Sequence, residues 1–380
     1  MKQRLKLLCI APYPIEGASV RLRVLQFLPA LRAAGIESEF RPFMDSRFFR
    51  GFYKPGGILR KSLRLSGMAL RRLGDINRAR DCDVVLIHRE AMPFGPPLVE
   101  TLIARGLRKP VVFDFDDATH LPFTSPTYGR LASVLKYPQK TPRTISQSRH
   151  VIAGNRHLED YARALNPRVS LVPTVVDATR VRPRWENAAH EYSCGGPQRL
   201  DAEPIVLGWM GTHSTAPYLQ SLLPVVREVA RRVAPRKVVL RVVGASREMK
   251  VAGVEVDNRE WNLQRETSDL QSFDIGLYPM PDDAWALGKS GFKAVEYMAV
   301  GIPAVCSPVG ATRDIVQHGE NGFLPASNEA WIETLCLLIE NPSLRQQLGE
   351  AGRKRVEDWY CVEKQAPRLI EIINAAQSVG

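Results

Sequence analysis

Short apolar runs alternate with amphipathic segments over residues 1–177, which is the pattern of a doubly wound parallel sheet. The segment 20–35 predicts a helix, since its leucines recur at helical spacing on one face and Gly35 follows as a terminator. This half is therefore predicted to be one Rossmann-like domain. Its predicted strands are residues 5–14, 37–43, 83–89, 110–117, 149–155 and 168–177.

A second alternating block occupies residues 204–363 and predicts another Rossmann-like domain. Between the two blocks, residues 178–203 are polar, rich in Gly and Pro, and without period, so they are predicted to be a linker. A last amphipathic helix, interrupted by Pro367, is expected to pack back on the first domain through residues 364–380. The predicted strands of the second block are residues 205–211, 237–244, 273–280 and 303–310, and its longest predicted helices are 216–233, 329–340 and 342–358.

The composition indicates the class of the protein and where in the cell it is expected. Hydrophobic residues make up 44% and charged residues 24% of the 380 positions, a globular profile rather than a disordered one. The six cysteines form no C-x-x-C pair, so they are expected to be reduced thiols. No run approaches the roughly 18 apolar residues of a membrane-spanning helix. A cytoplasmic protein, or one peripheral on the inner face of a membrane, is expected.

The net charge of +12 is concentrated in residues 1–80, which hold 17 Lys/Arg against 5 Asp/Glu. Within them, residues 41–80 interleave basic with aromatic and aliphatic side chains. Such a surface suits an anionic membrane or an acidic acceptor, and it could equally bind nucleic acid. The plainer interpretation is a pair of helices that covers the sheet and exposes its charges to water.

The stretch GKSGFKAVEYMAVGIPAVCSPVG, residues 288–310, is the first candidate for chemistry. A glycine-rich turn that enters a helix presents unpaired N–H groups and the positive end of the helix dipole, and both favour a diphosphate. Lys289 and Lys293 would add positive charge, while Glu296 shares a helix face with Lys293 and could bind the vicinal hydroxyls of a ribose. An ordinary surface Lys–Glu pair has the same spacing.

Four segments in chain order resemble the family 4 glycosyltransferases of bacterial type: residues 13–37, 88–122, 208–226 and 273–324. The resemblance implies the GT-B fold, in which two Rossmann-like doubly wound parallel-sheet domains face a central cleft. It also implies a hexosyltransferase that moves a sugar from a nucleotide-sugar donor to an acceptor hydroxyl with retention, without a metal or other cofactor. Polysaccharide or glycolipid synthesis, with a sugar, glycan or lipid-linked acceptor, fits this family.

The resemblance also assigns donor-binding residues. Glu296 matches the second glutamate of the E-x7-E motif, which grips the ribose, but Gly288 stands where the first glutamate belongs. Lys289, Asp282 or Asp283 could fill that space, and Lys289 and Lys293 are the catalytic candidates for neutralising the diphosphate. The further donor-binding candidates are Gly291 and Phe292, the Gly loop at Gly17 and Ala18, the GTHS loop of Gly211, Thr212, His213 and Ser214, and Gly244 near the base.

The acceptor side is expected at the ends of the strands of the first domain. Asp116 and His120 are catalytic candidates there, and Asp117, His88 and Arg21 are acceptor-binding candidates. Arg21, like Arg23, could also be an ordinary surface arginine, and Asp117 could simply cap the next turn. The sequence DFDD, residues 114–117, has the D-x-D form of a metal site in the other glycosyltransferase fold, but that fold is a single-sheet domain.

Other functions remain open at this point. A GT-B epimerase would convert a nucleotide-sugar alone, and a phosphorylase would need inorganic phosphate. A basic protein that binds membranes or nucleic acid through residues 41–80 is a further alternative. A dehydrogenase is the least favoured, since no G-x-G-x-x-G follows the first strand.

Overall fold

The computed structural model describes residues 4–52, 56–122, 135–186 and 203–378, which divide into two compact units. The first unit is Met1–Thr174 with Gly288–Ser290 and Val362–Gly380, and the second is Val175–Leu287 with Gly291–Cys361. The predicted linker, 178–203, thus begins inside the second unit, where Arg184 Nη1 donates to the carbonyl oxygen of Phe273 at 2.8 Å. Residues 187–202 lie outside the described residues.

The first unit is built on a parallel sheet of six strands in the order β2-β1-β3-β4-β5-β6. The strands are β1 Leu5–Ala11, β2 Ile36–Pro42, β3 Val84–His88, β4 Val111–Phe115, β5 His150–Ala153 and β6 Val169–Leu171. The helices are α1 Ala18–Arg23, α2 Leu28–Ala33, α3 Ser46–Phe52, α4 Ile58–Arg80, α5 Leu98–Thr101, α6 Lys140–Gln147 and α7 Arg156–Arg163. Every residue of β3 and β4 is buried, as expected for central strands covered on both faces.

The predicted helix at 20–35 is in fact broken into α1, a 3-10 turn at Leu25–Phe27, and α2. Pro29 lies in the first turn of α2, where its missing N–H costs no helical hydrogen bond. The prediction of helical structure in this segment is confirmed, but the prediction of a single helix is wrong, because the segment contains two short helices.

The second unit has its own six-stranded parallel sheet in the order β12-β11-β10-β7-β8-β9. The strands are β7 Ile205–Met210, β8 Val238–Val243, β9 Glu255–Arg259, β10 Ile275–Tyr278, β11 Ala304–Cys306 and β12 Gly322–Phe323. The helices are α8 Ala216–Arg232, α9 Glu266–Gln271, α10 Ala284–Leu287, α11 Phe292–Ala299, α12 Thr312–Ile315, α13 Asn328–Glu340 and α14 Pro342–Asp358. The edge strands β9 and β12 were not predicted, because one is polar and the other has two residues.

The last helix, α15 Val362–Gln377, belongs to the first unit and packs against α2, β3 and β4. It continues through Pro367 as one helix, with buried residues on both sides of the proline. None of the helices in the described part of the chain combines the length and the hydropathy needed to cross a membrane.

Candidate active site

The carboxyl end of β4 in the first unit holds a buried charge cluster of Arg23, Asp114 and His88. The parallel register sets His88 opposite Asp114, and His88 Nδ1 lies 2.6 Å from Asp114 Oδ2. Arg23, at the end of α1, forms a two-pronged ion pair with the same carboxylate, with its Nε 3.2 Å from Oδ2 and its Nη2 on Oδ1. Arg23 Nη1 also donates to the carbonyl oxygen of Val172 at 2.6 Å. Asp114 thus ties three elements of the first unit together.

A second set of charges follows directly in the chain. Arg89 Nε donates to Asp116 Oδ1 at 2.7 Å, and Arg89 Nη2 lies 3.5 Å from Asp117 Oδ2. The Nζ of Lys289 lies 3.2 Å from both carboxylate oxygens of Asp117. Asn155, the N-cap of α7, donates from Nδ2 to the carbonyl oxygen of Lys289 at 2.8 Å and so holds the backbone of that residue. Lys289 is therefore engaged by the first unit.

These contacts keep the buried groups ionised. Burial alone would raise the pKa of the Asp114 carboxyl, but Arg23 and His88 outweigh it and hold that pKa below its ordinary value. Burial also works against ionised Asp116, yet Arg89 brings its pKa well below the usual range. In the same way, the carboxylates raise the pKa of Arg23 and Arg89 against the effect of burial. The cluster is charged at neutral pH and nearly balanced.

The structure gives a steric reason for Gly288, the residue that departs from the family motif. A Cβ at position 288 would lie 2.5 Å from Ala118 Cβ and 2.9 Å from the Ala118 amide nitrogen. Since even one added carbon collides there, no glutamate side chain fits position 288 in this arrangement. Asp282 and Asp283 are both exposed, whereas Lys289 and Asp117 are next to this position and half-buried or nearly so.

The structure changes the roles expected for two of the acceptor-side candidates. His88 is fully buried with its Nδ1 on Asp114, so it positions that carboxylate and does not face an acceptor. Asp116 is also buried and engaged by Arg89, which makes it a partner of that arginine rather than an accessible base. Asp117 pairs with two cations and also accepts from the Ala118 amide at 3.2 Å.

The remaining first-unit candidates are His120, Gly17, Ala18 and Arg21. The His120 ring stacks on the Tyr161 ring at a centroid distance of 3.9 Å, and partial burial lowers its pKa, with a smaller contribution from His157. Gly17 precedes α1 and its amide donates to the carbonyl oxygen of Pro14, while Ala18 is exposed. Arg21 reaches back to the carbonyl oxygen of Ile15 at 3.4 Å.

In the second unit, the first turn of α11 carries Lys293 over two aromatic rings. Lys293 Nζ lies 5.1 Å from the ring centroid of Tyr278, at the end of β10, and 5.9 Å from that of Trp209, in β7. Gly291 is the N-cap in a left-handed conformation, with φ 69°, and Phe292 is the first helical residue. A glycine cap has no side chain that could accept hydrogen bonds from the first turn. The first backbone amides of α11 therefore point outward from the helix start, where an anion could accept from them.

Glu296 lies on the same helix one turn after Lys293 and is half-buried. The GTHS loop follows β7, and Gly244 follows β8, so the strand order places both loops at the carboxyl edge where α11 begins. The two loops touch, because a Cβ on Gly244 would lie 2.3 Å from the carbonyl oxygen of Gly211. Thr212 and Ser214 bond through their hydroxyls at 2.9 Å, and burial lowers the pKa of His213.

The D-x-D interpretation does not fit the contacts of these carboxylates. Asp114 is turned to Arg23 and His88, and Asp116 to Arg89, so the two carboxylates already neutralise cations of the protein. Over the residues that the structure describes, no group of three or more His, Cys, Asp or Glu side chains is placed to hold a metal ion.

Sequence reasoning missed several residues of both sites. Arg23 was weighed only as the start of a helix or a surface arginine, but it is buried, and Arg89 was not singled out. The signal for Arg23 was its place beside Val20 and Phe27 on the buried face of the helix. Trp209 and Tyr278 carried no polar signature, and only the fold brings them under Lys293.

Known proteins match this chain in sequence over a limited segment. The family model described as "Glycosyl transferases group 1" matches residues 284–355, which include α11 and its preceding loop. An uncharacterized glycosyltransferase of Haemophilus influenzae is 43% identical over 75 residues, which are 18% of this chain and 20% of that protein. A phosphatidyl-myo-inositol mannosyltransferase of Mycobacterium leprae is 36% identical over 92 residues, 23% of this chain and 25% of that protein. The matches thus span a fifth to a quarter of these relatives.

Solved structures match over nearly the whole chain. Anabaena HepE, in complex with UDP and glucose, has a TM-score of 0.68 at 14% identity and covers 98% of this chain and 100% of its own. Sucrose-phosphate synthase from Thermosynechococcus elongatus has a TM-score of 0.70 at 15% identity, with 99% and 100% covered. At such low identity these likenesses show the fold. They confirm the expected GT-B fold, and residues 284–355 are similar to the group 1 glycosyltransferases.

Proposed function

We propose that this protein transfers a sugar from a nucleotide-sugar donor to an acceptor hydroxyl, with retention of the anomeric configuration and without a required metal. The observation that carries the proposal is the start of α11, where Lys293 and Glu296 share one helix face next to an uncapped helix end. A cation and amide donors suit a diphosphate, and a carboxylate one turn later suits a ribose. The structure of HepE, in complex with UDP and glucose, supports this class of donor.

In this mechanism the bond between the anomeric carbon and the diphosphate oxygen breaks, and the acceptor oxygen bonds to that carbon on the same face. The hydroxyl proton of the acceptor passes to the departing diphosphate. Lys293 and the first amides of α11 stabilise the charge that grows on the leaving group, and such fixed electrostatics are the largest contribution expected. Tyr278 and Trp209 under Lys293 limit where its ammonium can move.

Lys289 has a different part in this proposal from Lys293. The ammonium of Lys289 pairs with Asp117, and Asn155 bonds to the Lys289 carbonyl oxygen. Lys289 therefore fixes the segment Gly288–Ser290, which belongs to the first unit. We assign neutralisation of the diphosphate chiefly to Lys293, and the Asp117–Lys289 pair to the acceptor side. An acceptor in polysaccharide or glycolipid synthesis is consistent with the mannosyltransferase among the relatives.

A donor panel tests the proposal directly. Purified protein is screened against UDP-, GDP-, ADP- and TDP-sugars by thermal shift and by hydrolysis of the donor. One nucleotide class should raise the melting temperature, and Glu296→Ala should abolish that shift, whereas the exposed matched control Glu333→Ala should keep it. If no donor shifts the melting temperature, or if Glu296→Ala and the control behave alike, this assignment of α11 is wrong.

The finer features have separate readouts. The anomeric configuration of the product, followed by NMR, tests retention, and activity in excess chelator tests independence from metal. Conversion of the donor with neither acceptor nor water consumed would indicate an epimerase instead. Turnover that requires inorganic phosphate would indicate a phosphorylase.

A further inference from the structure

The helix α4 has an exposed row of leucines. Leu59, Leu63, Leu70 and Leu73 are 76%, 68%, 70% and 45% exposed. At 100° per residue, these four positions fall within an arc of about 80° on the helix surface. Scattered single leucines are ordinary on a protein surface, but four on one stripe of one helix form a patch. We name these four residues the leucine stripe.

The leucine stripe is not the face by which α4 packs on its own unit. The buried side chains of the helix are Met68, Arg72, Asp75 and Ala79, which lie on the other side. Arg72 fixes that inner face, since it donates to Asp75 Oδ2 at 2.8 Å and to the carbonyl oxygen of Ala11 at 3.0 Å. The helix thus has two apolar faces, and the described residues of its own unit cover only the inner one.

Basic side chains run beside the leucine stripe. Arg60, Arg64, Arg71 and Arg78 lie together about 100° around the helix from it. The sequence of α4 contains seven Lys/Arg and one Asp, and that Asp is the buried Asp75. Three acids of the described residues face this flank: Asp45 pairs with Arg64, Glu39 pairs with Arg78, and the buried Asp75 lies 3.8 Å from Arg78 Nη1. The Asp45 and Glu39 side chains are exposed. Such exposed pairs hold their arginines weakly.

We propose that the leucine stripe and its basic flank dock the protein on an anionic phospholipid membrane. The leucines would enter the boundary between headgroups and acyl chains, while the arginines reach the lipid phosphates. Charge complementarity selects this occupant: a second copy of the chain would bring the same arginines against themselves, and nucleic acid would leave the leucines in water. α4 lies outside the residues assigned to sugar transfer.

Vesicle sedimentation tests this surface. The full-length protein is mixed with vesicles of phosphatidylcholine alone or of equal phosphatidylcholine and phosphatidylglycerol. We expect co-sedimentation with the anionic vesicles only, weakened by high salt because the Debye length shortens. The triple variant Leu59→Ser, Leu63→Ser, Leu70→Ser should lose binding by at least about a hundredfold, since each buried leucine side chain contributes about tenfold or more.

Two controls keep the test specific. Leu337→Ser removes a leucine that is 46% exposed on α13 in the second unit, and it should bind vesicles like the wild type. Arg60→Gln with Arg78→Gln should reduce binding and its salt dependence while leaving the leucines in place. Circular dichroism and donor hydrolysis of each variant should match the wild type, which separates failure here from failure of the proposed transferase function.

Three outcomes would overturn the proposal. Equal sedimentation of the wild type and the triple variant would show that the leucine stripe does not contact lipid. Wild-type dimers that the triple variant converts to monomers, with no vesicle binding by either, would assign the stripe to self-association. Retention of an RNA probe in a gel shift, unaffected by the leucine changes and without vesicle binding, would assign the basic flank to nucleic acid.

Discussion

The two units present different chemistry at the carboxyl ends of similar parallel sheets. In the first unit these ends are packed with charge: Arg23, Asp114 and His88 are buried and bonded to one another. In the second unit the corresponding edge is lined by Gly211, Gly244 and the rings under Lys293. A buried cluster of paired charges contributes rigidity, whereas the second edge carries closely packed glycine loops beside the ammonium of Lys293.

From this contrast we expect the first cluster to stabilise the fold, and we propose the second edge as the donor site. The largest effect is expected from Asp114→Asn, which removes the carboxylate that neutralises buried Arg23. Breaking one partner of a buried ion pair costs about 3–5 kcal/mol. Urea denaturation should show this loss in the free energy of unfolding. Asp45→Asn, at a pair with both side chains exposed, is the matched control and should cost less than about 1 kcal/mol.

If Asp114→Asn were as stable as the control, the cluster could not be a structural tie. The cluster would then need a role other than stabilising the fold, and the contrast drawn between the two units would be wrong.

Lys293→Ala should have the next largest effect, on catalysis rather than stability. Loss of a group that stabilises the leaving charge lowers kcat by about 100- to 1000-fold. Lys293→Arg should recover part of this rate, since the positive charge remains. Steady-state kinetics with the donor found in the panel measure the change. Lys237→Ala, at an exposed lysine before β8 and thus at the opposite end of the strands, should leave kcat unchanged.

Gly288→Ala is expected to have a smaller effect, on stability. Its Cβ would press on Ala118 at 2.5 Å, and overpacking of this kind costs about 1–3 kcal/mol. Gly74→Ala is the control, since a Cβ there meets nothing within 4 Å and alanine favours the interior of α4 by about 1 kcal/mol. Thermal melting should therefore move in opposite directions for the two variants. A stable Gly288→Ala would show that the loop can retreat from Ala118.

The smallest effect near neutral pH comes from titration of the buried carboxyls. Asp114 and Asp116 have folded-state pKa values below those of the unfolded chain, so the unfolded state binds more protons in acid. Their contribution is complete above the unfolded aspartate value of about 4 and is lost as pH falls below it. The part of the stability that these two carboxyls contribute should be constant from about pH 5 to 7 and decline below. The lowered pKa values of His120 and His213 add a separate loss of stability that begins below about pH 6.5. Asp114→Asn should have a shallower decline.

The predicted strands were recovered almost everywhere because each central strand is a nearly continuous apolar run. β3 and β4 are VVLIH and VVFDF, and their short length and their β-branched and aromatic residues favour a buried strand over a helix. β9 was not predicted, because its sequence, EVDNR, is polar and half exposed at a sheet edge. The break in the helix after Arg23 was not predicted, because the apolar residues keep helical spacing across it. The 3-10 turn is visible only in the backbone structure.

The candidate site divides in the same way. Lys293, Glu296 and Gly291 lie within six positions of one another, so local spacing was enough to place them on one helix start. Asp117 and Lys289 are 172 positions apart, and no local pattern relates them. His88 ends an apolar strand, and its burial depends on Asp114 in the neighbouring strand.

The sequence by itself determined the two alternating units, most of their strands, and the cation, carboxylate and glycine at the start of α11. These follow from periodicity and spacing, which are local properties of the chain. Only the tertiary structure decided which charges pair, why Gly288 admits no side chain, and that the leucines of α4 stand in water. Those depend on the parallel register and on which face of each element meets its neighbours, and both arise from contacts between residues distant in sequence.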